Sequence, residues 1–132
     1  MKVKVYYNLH KNCYSIVSLE KENYGKVIKH ENCVPLFDAQ FKVSEKGRQR
    51  VLREQKKNVH AYVVGTWVSE FIPRGEVKLA TYNPYKYSSF VDATSKNSLD
   101  KAKFILGGSY SIYRGKHFGN VIWSQFTSDG SY

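Results

Sequence analysis

The chain has 132 residues, enough for one domain (1–132) with one real core. Its 11 Tyr, 7 Phe and 2 Trp argue against disorder, and a formal charge of +10 argues for an anionic partner. No apolar run approaches the roughly 18 residues of a membrane span, and the start MKVKVYY lacks a signal-peptide apolar region, so a cytosolic protein is expected, with no membrane partner.

In chain order, Val3, Val5 and Tyr7 alternate with Lys2, Lys4 and Tyr6, the period-two pattern of a half-buried strand. A turn at residues 10–12 and a return strand from Cys13 to Leu19 make residues 2–19 a hairpin. The polar stretch Glu20 to Gly25 reads as a second turn and Lys26 to His30 as a third strand. Pro35 predicts an edge or a bend. Phe37, Ala39, Phe41 and Val43 then alternate with polar residues as a further strand.

Residues 44–57 carry six cations and two carboxylates and predict the main α-helix. Ser44 suits its N-cap, Glu45 its positive end, Lys56 and Lys57 its negative end, and Asn58 a left-handed close. Gly47 within it costs about 1 kcal/mol relative to Ala, which points to a backbone or ligand approaching closely. At 100° per residue Lys46, Arg50, Arg53 and Lys57 share one stripe opposite Val51 and Leu52. Like charges four residues apart repel by a few tenths of a kcal/mol, a cost that a bound anion would remove. Arg48 falls on the flank of the packed face, where its guanidinium fork could grip phosphate.

Val59 to Val68 (VHAYVVGTWV) reads as a central strand, with His60, Tyr62 and Val64 on one face and Val59, Ala61 and Val63 on the other. Residues 73–75 form a loop, Val77 to Tyr82 a strand, Asn83-Pro84 a turn, and Tyr85 to Val91 extends again. Ser98 to Ala102 suggests one helical turn. Residues 107–113 and 121–126 are the last strand candidates, and the tail 127–132 reads as loose. These elements predict an α+β fold: an antiparallel sheet of about six to eight strands with one main helix, about 44–57, packed on it.

For chemistry, three groups stand out. The helix cations Lys46, Arg48, Arg50, Arg53 and Lys57 are phosphate-binding candidates. In Thr81–Tyr87, Tyr82, Tyr85 and Tyr87 could stack on bases while Asn83 reads an adenine edge. The segment Tyr110–Phe118 repeats this mixture, with Tyr113 as a stacking face and Arg114 and Lys116 as anion contacts. There is no GxSxG, HExxH or P-loop, and no spacing that suggests paired carboxylates, so a binder is expected rather than an enzyme. No cofactor or metal is called for: the four histidines are far apart, and Cys13 and Cys33 lack metal-site spacing and read as reduced thiols.

The segments KVSEKGRQRVLREQKKNVHAYVVG and TYNPYKYSSFV together resemble a pattern of small bacteriophage proteins, over about residues 3–92. That resemblance implies a viral protein acting in the cytoplasm of an infected bacterium. Small phage proteins of this size commonly act against host defence. One such class is the sponges, homo-oligomers that hold the adenine-containing nucleotide signals of Thoeris and CBASS immunity without cleaving them. The expected partners are a small nucleotide-derived signal or, alternatively, RNA or single-stranded DNA. A third reading is inhibition of a host defence protein by direct contact.

Overall fold

The computed structural model describes residues 1–8, 10–56, 58–68, 77–108 and 121–126. Nine strands are present among them: β1 (Lys2–Asn8), β2 (Cys13–Ser18), β3 (Val27–Glu31), β4 (Val34–Val43), β5 (Ala61–Trp67), β6 (Val77–Tyr82), β7 (Val91–Asp92), β8 (Lys101–Gly107) and β9 (Val121–Phe126). They join in the order β3-β2-β1-β5-β4-β8-β9-β6-β7. One helix, α1 (Glu45–Glu54), and a 3-10 turn at Lys21–Asn23 complete the elements. The α+β expectation is therefore corrected: the described residues are predominantly β, with one ten-residue helix among them. The sheet is also not wholly antiparallel, because β9 runs parallel to both β6 and β8.

The expected hairpin forms, with Val5 opposite Ile16 and Asn8 opposite Cys13. β5 is central, flanked by β1 and β4. Pro35, however, lies neither at an edge nor at a bend but near the start of β4, an interior strand. Its carbonyl accepts from the Val68 N–H at 3.2 Å, and the β4–β5 ladder begins only at Leu36. The missing proline N–H thus falls where the ladder has not yet begun. Residues 98–100 are not helical and lead directly into β8, which pairs with β4 and places Ala102 and Ile105 in the core. Tyr85 to Ser89 forms turns and bends, leaving only Val91–Asp92 as strand.

The core is built from one face of the sheet: Val3 and Val5, Tyr14 and Ile16, Ala61 and Val63, Ala80 and Tyr82, Ala102 and Ile105, with Phe90 from the loop before β7. β4 contributes Val34, Leu36, Ala39 and Phe41, which breaks the period of two. The cause is a bulge: Phe37 pairs with Thr66 and Gln40 with Val64, so Asp38 and Ala39 together face Gly65. Asp38 takes a positive φ of 50° there. A Cβ at Gly65 would stand 3.0 Å from the Phe37 carbonyl oxygen, so glycine lets the bulge close. The extra residue keeps Asp38 and Gln40 out of the core. It also moves Phe37 off the expected face, to pack on Phe104 at 4.1 Å between centroids.

The sheet curls strongly. Four strand steps separate β5 from β6, roughly 19 Å across a flat sheet. Yet His60, immediately before β5, meets the Tyr82 hydroxyl at 2.7 Å. α1 closes the structure beside this contact. Ser44 caps it, accepting from the Gly47 N–H at 3.2 Å, as expected. The left-handed residue is Gln55 (φ 55°) rather than Asn58, so the helix stops at Glu54, short of residue 57. Asn58 instead holds α1 from outside, its Nδ2 donating to the Gly47 carbonyl at 3.2 Å.

Gly47 has the close neighbour that its helix position implied. A Cβ there would stand 2.5 Å from the His60 Cβ. Gly47→Ala should therefore destabilise the protein by about 1–3 kcal/mol despite the better helix propensity of alanine, because overpacking outweighs it. A urea midpoint unchanged or raised in this variant would show that α1 does not seat on His60 as described.

Candidate functional site

α1 presents its stripe outward. Lys46, Arg50 and Arg53 are exposed, on the side away from buried Val51. Arg50 donates from Nε to Glu54 Oε2 at 2.7 Å, and this bond holds the Glu54 carboxyl below its usual range. The pair is open to water on both sides and contributes little to stability. Lys57 lies outside the described residues, as do Tyr113, Arg114 and Lys116.

Arg48 does bring the helix and the tyrosine segment together, but by holding protein rather than by waiting for an anion. Its Nε donates to the carbonyls of Pro84 at 3.0 Å and Tyr87 at 2.9 Å. Its Nη1 donates to Glu45 Oε1 at 3.0 Å, and the side chain is only 16% exposed. Glu45 also accepts from Gln49 at 2.7 Å. The Gln49 hydrogen bond first, then the Arg48 bond and charge, lower the Glu45 pKa. The 83–87 turn is thus fixed to the helix flank.

Within that turn the candidate residues separate. The Asn83 side-chain oxygen accepts from the Tyr85 N–H at 2.9 Å, and its carbonyl accepts from Lys86 and Tyr87. Its amide group caps a turn, a local use common to Asn. Tyr85 and Lys86 are exposed and Tyr87 is half-buried. Tyr82 is fully buried, its ring stacked on Phe90 at 5.4 Å, so no face of it is open to a base. The His60 ring fits the tautomer with Nδ1–H toward the Asn58 carbonyl and Oδ1 (3.0 and 2.9 Å) and Nε2 accepting from Tyr82. His60 and Tyr82 therefore form a structural tie between β5 and β6.

Among the described residues no group of three or more His, Cys, Asp or Glu is placed to hold a metal ion. Ser15 Oγ lies 2.9 Å from His30 Nδ1 and accepts from Asn8 Nδ2 at 3.1 Å, but Ser15 is wholly buried. This set ties β1, β2 and β3 together across the sheet.

A second surface escaped the sequence reading. On the sheet face opposite the core, Lys4 stands between Val17 and Val64 in cross-strand register. With Tyr6, Leu19, Tyr62 and Val59 these residues line an open groove of about 510 Å³. The turn between β2 and β3 adds Tyr24, and the start of β3 adds Val27. The Lys4 ammonium lies 4.5 Å from the Tyr62 ring centroid. The available signal was that Tyr6, Val17, Leu19, Tyr62 and Val64, on the face opposite the core, are themselves apolar or aromatic.

Comparison with known proteins gives the lineage. The model of the family described as Mycobacterium phage L5 gene 82 protein matches residues 1–114. The chain belongs to this family. The "Gene 82 protein" of Mycobacterium phage L5 is 39% identical over 104 residues, covering 73% of this chain and 81% of that protein. The match spans α1, the 83–87 turn and the groove-lining strands β1, β2 and β5, so both surfaces lie within the family region. The expected phage origin is thereby established. No solved structure matches the chain. Among the described residues no helix is long and apolar enough to cross a membrane.

Proposed function

We propose that this phage protein is a non-enzymatic binder of nucleic acid, meeting the phosphate backbone along the exposed edge of α1. The observation that carries the reading is the outward row Lys46, Arg50 and Arg53 on a helix whose opposite face is fixed by Val51 and Gly47. A convex row of cations suits an extended polyanion, which can touch successive side chains. Exposed Tyr85 and Lys86, held at the helix flank through Arg48, add a stacking face and a further charge. The net charge of +10 steers such a partner inward.

Capture of a free adenine-containing immune signal, as by an anti-Thoeris or anti-CBASS sponge, asks more of the same residues. It needs donors converging on one small ligand, with bases stacked nearby. Here Arg48 is committed to backbone carbonyls, Arg50 points along the helix to Glu54, and Tyr82 is inside the core. The α1 surface therefore favours the polymer over the mononucleotide, and over an acidic protein partner it is favoured by the adjacent aromatic. The test is binding of fluorescent single-stranded RNA and DNA across a salt series. The expected log–log slope is steep, about −0.7 per phosphate contact with three or more contacts. A flat salt response, or no binding at low salt, would overturn the reading.

A further inference from the structure

We infer that the groove over β1, β2 and β5 is a second binding site, taking a small planar aromatic anion of the nucleoside monophosphate class. The inference rests on the groove alone and not on the α1 surface. Its volume of about 510 Å³ is in the range of small-molecule sites, about 300–1,000 Å³. The lining is selective. Val17, Val27, Val59, Val64 and Leu19 give an apolar floor and rim, which disfavours a bare inorganic anion that would lose its water. Tyr6, Tyr24 and Tyr62 supply three flat faces with polar tips, which suits a planar ring.

A single ammonium, that of Lys4, sits within the lining, held over Tyr62 between the two valines. One cation among apolar neighbours offsets about half the charge of a phosphate monoester, and far less of the charge of a triphosphate. Lys26 follows Gly25 in the chain and Lys42 stands opposite Tyr62 in the β4–β5 register, so two further cations neighbour lining residues. The rim is also where large apolar side chains stand open: Tyr24 is 69% exposed, Val59 53% and Val27 44%. Tyr24 and Val27 are near neighbours in the chain, but Val59 comes from the segment before β5, so its meeting them around one opening is a property of the fold. A bound aromatic ring would cover them. The whole-chain excess of cations would favour encounter with an anionic over a neutral ring.

The test is a titration of the intact protein with adenosine monophosphate, followed residue by residue by amide chemical shifts. Saturable shifts at Lys4, Tyr6, Val17, Tyr62 and Val64 are expected, and adenosine lacking the phosphate should bind about tenfold more weakly. Lys4→Gln should weaken binding by a similar factor. Val59→Asp, which sets a carboxylate at the exposed rim without touching the core, should abolish it. Both variants should keep the wild-type melting temperature, which separates a binding defect from unfolding. The inference is overturned if no saturable shift appears up to about 10 mM ligand, or if adenosine binds as tightly as its monophosphate. Shifts confined to α1 and residues 83–87 would also overturn it, while leaving the nucleic-acid reading standing. Groove shifts in a protein that fails to bind RNA or DNA would leave the groove site and overturn the other.

Discussion

Replacing Arg50 and Arg53 together by glutamate should abolish nucleic-acid binding, with an affinity loss on the order of 100-fold at low salt and a salt slope shallower by about two contacts. Each reversal removes one phosphate partner and adds one repulsion. Both residues are exposed, so the fold should be almost unaffected. The Arg50–Glu54 pair is lost and two carboxylates come to stand four residues apart, a cost of a few tenths of a kcal/mol. The measurement is a pair of binding isotherms at several salt concentrations beside a thermal melt. Undiminished binding in a folded double variant would remove α1 from the interface. Loss of binding together with a large drop in melting temperature would show that the row has a structural role despite its exposure.

The second large effect is at Tyr82. Tyr82→Ala should cost about 3–5 kcal/mol for the emptied ring site alone. It also leaves the His60 ring nitrogen without its 2.7 Å partner, about 1–3 kcal/mol more. Against a typical total of about 5–15 kcal/mol, that variant should be largely unfolded. Tyr82→Phe isolates the hydroxyl: the ring still stacks on Phe90, and only the tie to His60 goes. A loss of about 1–3 kcal/mol in urea unfolding is expected, with nucleic-acid affinity unchanged. Weakened binding at unaltered stability would mean that Tyr82 meets ligand after all, contrary to its burial.

The contrast between these two positions shows where sequence reading succeeds. The stripe Lys46, Arg50 and Arg53 follows from helical spacing, and so does the flank position of Arg48. Local geometry sets both, once a helix forms, and a capping Ser44 with Val51 on the inner face was enough to place it. The end of that helix was less legible. Gln55 takes the left-handed conformation in place of Asn58, because Asn58 is drawn away to the Gly47 carbonyl and the His60 ring. Tyr82 and Tyr85 are only three residues apart and equally aromatic, but one ends inside a curled sheet and the other on a turn. Nothing in their own neighbourhood separates them.

The sequence by itself determined the β-rich character of the first half, the hairpin of residues 2–19, the basic face of α1 and the phage lineage. These depend on side-chain period, on capping and on residue identity along short stretches. Only the tertiary structure decided the rest. The curl of the sheet brings β6 to β5 and buries Tyr82 against His60. The bulge at Asp38 reverses which residues of β4 face inward. The long-range pairing of β1, β2 and β5 sets Lys4, Val17, Tyr62 and Val64 side by side on the second face. Each of these outcomes is fixed by contacts between residues far apart in the chain, whose gain appears only after the chain has closed on itself. Spacing along the sequence does not say which distant segments will meet.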